Sequence, residues 1–149
     1  FSRVSLRNGV TTVIADPHEI ANVSGTKGIH FMLDYASDVD LDIMYMLPSC
    51  VPATNFENAG AVIMNDDLKP FYSHKNVLGL AEMMNFPGVL NLDNGVLEKL
   101  EYANSINKVI DGHAPGIDEE SLNAYITSGI STDHECENLE DMQKEVCAC

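Results

Sequence analysis

Positive charge is scarce in this chain. Eight lysines and arginines stand against 23 aspartates and glutamates, a net charge of −15, and so negative a field repels phosphate backbones and anionic lipid headgroups. Nucleic acid and membrane surfaces are thereby excluded as partners. No apolar run approaches the roughly 20 residues needed to cross a bilayer, and the opening FSRVSLRNGV lacks the apolar centre of a secretion signal; the chain reads as cytoplasmic. Cysteines are few. Cys50, Cys136, Cys147 and Cys149 form no C-x-x-C pair, which excludes a disulfide scaffold and makes reduced thiols the expectation. The terminal CAC offers two soft-metal ligands or, at a frayed end, two free thiols. A glycine-rich G-x-G-x-x-G phosphate loop does not occur, nor does H-x-H or P-C-x-x-C.

What is present is an alternation. The 149 residues, 45% of them hydrophobic, suffice for one core and a single domain over 1–149, since a chain of this length buries about 70% of its unfolded surface. Short apolar runs at 11–15, 42–47, 77–82, 108–112 and 129–132 read as buried strands. Amphipathic segments separate them. Asp93 is placed to cap a helix carrying Val96, Leu97, Leu100 and Ala103 on one face, and Asp118 to cap one carrying Leu122, Tyr125 and Ile126. Ile117 and Leu122 have the spacing of a hydrophobic staple, Gly129 serves as a stop, and Asn138 opens a last helix. Strand followed by helix, repeated, predicts parallel α/β structure with helices over the sheet and the strands adjacent in order. The chain starts and stops without the signals of an element boundary, as an internal piece would.

Each run ends in an uncommon residue: His18, Cys50, Glu82, His113 and His134, at intervals of 32, 32, 31 and 21 residues. A (β/α)₈ barrel allots roughly 31 residues per unit and gathers the C-terminal ends of its strands at one mouth. A doubly wound sheet would normally carry the phosphate loop that is missing here. The expected fold is therefore a partial (β/α)₈ barrel of about five parallel βα units. At its mouth Glu82, His113 and His134 would converge, and a carboxylate with two imidazoles is a ligand set for Zn²⁺, Mn²⁺ or Fe²⁺.

The stretches TTVIADPHEIANVSG, YMLPSCVPAT, GLAEMMNFPGV, VIDGHAPG and LNAYITSGISTDHE together resemble the bacterial-type adenine deaminases of the amidohydrolase superfamily, from about Val10 to about Glu140. The resemblance implies a metal-dependent barrel that hydrolyses adenine to hypoxanthine and ammonia at a binuclear centre, with these runs standing for strands two to six. It implies that Glu82 is the carboxylate bridging two metals and that His113 and His134 are ligands of the second. Two cations sharing a water lower its pKa and so make a nucleophile for an electron-poor ring carbon. The superfamily's strand-one H-x-H pair and strand-eight aspartate have no counterpart here. As an internal piece, the chain is expected to keep half of a metal site, to be inactive alone, and to associate with the missing part of the barrel or with further copies of itself. A non-catalytic metal-binding or interaction module built from the same half-barrel is the alternative, and the aminopurine substrate rests on the resemblance alone.

Further residues carry open readings. His18, in DPHE, stands at the mouth beside substrate or ligands, or else caps a helix start. Glu135 transfers protons or orients substrate, or is an exposed loop acid. Asp111 and Asp133 are placed to accept a ring N–H and orient the ligand histidines. Asn85 can contact a planar purine, as can Phe86, which can equally pack under its own loop. The methionines Met32, Met44, Met46, Met83 and Met84 are core filler.

Overall fold

The computed structural model describes residues 1–54 and 56–148. After a short helix α1 (Ser2–Arg7) the chain alternates: β1 (Thr12–Ala15), α2 (His18–Ser24), α3 (Thr26–Ala36), β2 (Asp42–Leu47), α4 (Asn65–Leu68) running into a 3₁₀ turn, β3 (Val77–Met83), α5 (Phe86–Leu90), α6 (Asn94–Ser105), β4 (Val109–Gly112), α7 (Glu119–Thr127) and α8 (Leu139–Ala148). The strands lie in the order β1-β2-β3-β4 and every pairing is parallel. They form a curled, partial (β/α)₈-type barrel, as the alternation implied.

The fifth expected strand, 129–132, is reduced to a bridge. Ser131 N–H donates to Ile110 O at 3.1 Å and Gly112 N–H to Thr132 O at 2.7 Å, so the pairing with β4 is parallel but only Asp111 and Thr132 are bridged. β4 itself has four residues, and beyond Thr132 the chain turns to place Asp133 against the backbone, which leaves no length for a ladder. Lys108, expected inside β4, stands just before it and donates from Nζ to Val77 O at 2.6 Å, closing the lower end of β3.

Packing follows from the pattern. β3 is buried along most of its length, whereas β1 alternates between exposed and half-buried and leaves Ile14 63% exposed. Gly79 lets β3 and β4 approach: a Cβ there would lie 2.0 Å from Val109 O. Asp93 caps α6 by accepting from Val96 N–H at 3.1 Å, and Asp118 caps α7 by accepting from Ser121 N–H at 3.0 Å, each satisfying a donor that the first helical turn leaves free. Asn138 does the same for α8, accepting from Asp141 N–H. Gly129 stops α7 with φ +98°, a left-handed conformation that costs glycine least.

The inward stripe of α6 differs from expectation. Val96, Lys99, Leu100 and Ala103 are buried, and Leu97 only packs at the margin. Met46 and Met83 fill the core, while Met32, Met44 and Met84 are half-buried. Among the described residues no helix is long and apolar enough to cross a membrane.

Candidate metal centre

The C-terminal ends of the strands bring Glu82, His113 and His134 together. Glu82 is the last inward position of β3 before Met83 ends the strand, His113 follows β4, and His134 follows the bridged segment. One carboxylate oxygen, Glu82 Oε2, lies 2.9 Å from His113 Nδ1 and 3.2 Å from His134 Nε2. The other, Oε1, lies 3.6 Å from His18 Nε2. The Glu82 side chain is only 12% exposed, so two sides of one buried carboxylate face two groups of imidazoles.

The donor atoms fit a cation better than they fit one another. His113 Nδ1 is buried and makes no hydrogen bond among the described residues although Glu82 Oε2 is 2.9 Å away; His18 Nδ1, the ring nitrogen other than the Nε2 that faces Glu82, is also buried without a partner among them. Nitrogen and oxygen thus meet off the N–H axis, as lone pairs do when they converge on a third point. Ligand atoms of Glu82, His113 and His134 all lie within 4.8 Å of one another, and so do those of Asp16, His18 and Glu82. Carboxylate and imidazole donors at such spacing suit a divalent ion of the first transition row or zinc.

The surrounding residues sort by what they touch. Asp111 Oδ2 stands 3.1 Å from His134 Nδ1, on the side of the ring away from Glu82, and Asp111 Oδ1 accepts from Thr132 Oγ1 at 2.6 Å. Glu135 is drawn into the cluster: its Oε1 is 3.6 Å from His113 Nδ1 and 3.7 Å from His134 Nε2. Asp133 touches neither ring. It accepts from Ala114 N–H at 2.9 Å and from Glu135 N–H at 2.7 Å and thereby ties the loop after β4 to the loop carrying His134. Asn85 accepts from Gly88 N–H at 3.0 Å as the cap of α5, and Phe86 packs against the core. His18 begins α2 without capping it and turns its ring toward Glu82. Cys50 is buried, with its sulfur 3.9 Å from that of Met83, and Cys136 hydrogen-bonds Glu145, which pushes its thiol up to about 11. The reading of the terminal CAC as two soft-metal ligands or two free thiols falls on Cys149, outside the described residues, and on the side chain of Cys147, which is not described.

Electrostatics follow the crowding of acids. Burial favours neutral His134, but Asp111, Glu82, Asp133 and Glu135 together outweigh it and hold the imidazolium above its ordinary 6.5. Burial raises Asp16, opposed by the Glu82 backbone and the charge of His18.

Three residues of this neighbourhood escape a reading of the sequence. Asp16 lies just past β1, and the turn through Pro17 into α2 brings it beside His18 and Glu82. Tyr125 looked like one more apolar position on α7, yet its hydroxyl donates to Met83 O at 2.9 Å and accepts from His113 N–H at 2.9 Å. Lys99, in the buried stripe of α6, donates from Nζ to Ser49 O at 2.7 Å, and Ser49 Oγ in turn donates to Glu82 O.

A parallel half-barrel with an acid and imidazoles at its strand ends defines a class, and the sequence comparison agrees with it: residues 1–149 match the amidohydrolase family, to which the chain belongs. Within that family it is similar to enzymes named adenine deaminase. It is 51% identical over 146 residues to that of Clostridium acetobutylicum, which covers 98% of this chain and 26% of the relative. Against the adenine deaminases of Lysinibacillus sphaericus and Geobacillus kaustophilus it is 55% identical over 141 residues and 54% over 136, covering 95% and 91% of this chain and 24% of each relative. The chain spans about a quarter of the length of the curated relatives it matches.

Proposed function

We propose that this chain carries the central part of the metal centre of an aminopurine hydrolase whose reaction converts adenine and water to hypoxanthine and ammonia. The observation that carries the proposal is the single buried carboxylate, Glu82, with His113 and His134 at one oxygen and His18 at the other. The names and identities of the relatives support the substrate.

In this reading Glu82, His113 and His134 hold one divalent ion, and Glu82 Oε1 faces a second position bordered by His18 and Asp16. A divalent pair supplies positive charge that lowers the pKa of water and polarises the substrate. Mn²⁺, Fe²⁺ and Zn²⁺ all suit these donors. Asp111 fixes the ring orientation of His134 through Nδ1, the usual second contact of a ligand imidazole. Glu135, 37% exposed and beside both rings, holds the proton exchanged between water and the purine ring. Asp133 keeps the two ligand loops in register through backbone N–H groups. Residues 1–149 act as one domain, and further barrel strands, or other copies of the chain, cover the exposed face of β1.

Equilibrium dialysis against Mn²⁺ tests the assignment. The chain should retain one weakly held ion, and Glu82→Gln should lose it while the metal-free thermal midpoint stays within a few degrees, because mouth residues sit above the core. Undiminished Mn²⁺ affinity in Glu82→Gln refutes the ligand set. Adenine-dependent ammonia release, in a polypeptide joining this segment to the remaining barrel strands, checks the reaction.

A further inference from the structure

We infer that Lys99 is a positioning residue for the Glu82 carboxylate, acting from α6 through Ser49 on the main chain that presents it. The inference rests on the metal-ligand reading of Glu82. Its starting point is an unfilled place in the sheet. β2 pairs with β3 only as far as Leu47 with Leu80, so beyond that register the carbonyl of Glu82 has no strand partner on the β2 side and, from the backbone, accepts locally from Met84 N–H at 3.0 Å. Ser49 Oγ takes that role, donating to Glu82 O from just past the end of β2. On the other side Tyr125 donates to Met83 O, where the β3–β4 register is irregular between Leu80 and Met83. Two side-chain hydroxyls thus add to the backbone contacts at the end of β3, one on each side, and they set the direction in which Glu82 leaves the strand.

Ser49 needs fixing in turn. Lys99 Nζ donates to the Ser49 carbonyl at 2.7 Å, linking the inward face of α6 to the β2 exit across 50 residues of sequence. Lys99 is only 7% exposed and forms no ion pair among the described residues. Burial pulls its ammonium below the ordinary 10.5, against the pull of Cys50, Asp67 and Asp93. A buried charge without a charged partner is costly, and an apolar side chain of similar length at such a site is usually neutral or stabilising. The stripe of α6 needs no amine at this position for packing, since Val96, Leu100 and Ala103 already fill it. What the amine adds is the tie to Ser49, and through Ser49 to Glu82.

The test is a Co²⁺ titration of this chain, read from the visible absorption of the bound ion, with urea midpoints of the metal-free proteins alongside. Lys99→Met and Ser49→Ala should each weaken Co²⁺ binding about tenfold or more, the usual effect of losing a contact that supports a ligand. The double variant should be no weaker than the worse single one, because both cut one relay. Lys99→Met should move the urea midpoint little, because relief of the buried charge offsets the donor lost to the Ser49 carbonyl, so that affinity falls without a matching loss of stability. Should Lys99→Met fail to fold, Ser49→Ala decides alone. Wild-type binding with both variants within about twofold of it overturns the relay and leaves the metal reading standing. Additive losses in the double variant also overturn it, since they mean two independent effects. A wild-type chain that takes up no Co²⁺ overturns the metal reading and the relay with it.

Discussion

Tyr125 places two backbone groups of the metal centre on one hydroxyl, so Tyr125→Phe is a clean perturbation: it removes one oxygen and keeps the ring. The side chain is 1% exposed and the carbonyl it donates to belongs to Met83, which is fully buried. Without the hydroxyl that carbonyl loses its side-chain donor in a place closed to water, at about 1–3 kcal/mol. The second partner, the N–H of His113, lies beside a side chain that is 28% exposed, and water can replace part of what is lost there, leaving about 0.5–1 kcal/mol. The expected loss is about 1.5–4 kcal/mol, or roughly 3–16 °C in thermal midpoint for a domain of this size. Urea denaturation of the metal-free protein followed by far-UV circular dichroism measures it. A loss below about 0.5 kcal/mol would refute the argument, because the hydroxyl would then not be what satisfies these groups. Alkaline pH gives an independent arm. Burial raises the Tyr125 phenol above its ordinary 10.0, so the folded state holds a proton that the unfolded state releases. The associated stability is whole below about pH 10 and is lost as pH rises beyond it. Tyr72 is raised by the same cause, so Tyr125→Phe should flatten the alkaline decline without abolishing it.

Leu122→Ala, at a position 3% exposed on the buried face of α7, should cost about 2–5 kcal/mol in urea denaturation and leave Mn²⁺ affinity unchanged, because the cavity opens behind the strand ends rather than among the ligands. Gly79→Ala should cost about 3 kcal/mol, at the upper end for overpacking, since the added Cβ meets the backbone oxygen of Val109 at 2.0 Å and the β3–β4 pair must separate; hydrogen exchange should show the loss of protection concentrated in those two strands.

The parallel half-barrel was legible because its signals are local. Continuous apolar runs mark strands buried on both faces, and the caps Asp93, Asp118 and Asn138 stand where the sequence placed them. The meeting of Glu82, His113 and His134 was legible for a topological reason: in a parallel βα series every strand ends on the same side, so residues a unit apart in sequence become neighbours in space. Asp111, two residues before His113, meets instead the ring of His134, which the parallel bridge between Asp111 and Thr132 brings beside it.

What depends on register and on side-chain direction was decided only by the fold. Asp111 and Asp133 both precede ligand histidines, yet Asp111 reaches a ring while Asp133 turns to the backbone, since Asp133 lies past the bridge where the chain is no longer extended. The fifth strand shrank to a bridge for the same reason. Lys99 drew no reading and Tyr125 read as one more position on the inward face of its helix, because stripe spacing tells which side of a helix faces inward but not which carbonyls wait there. Side chains reach the carbonyls of Glu82 and Met83 where β2 ends at Leu47 and the β3–β4 register shifts, facts of pairing between segments about 30 residues or more apart. The candidate ligands could be read from their places at the ends of successive strands; the side chains that hydrogen-bond the backbone carrying them could not, because the carbonyls they meet are brought to them only once the strands have paired.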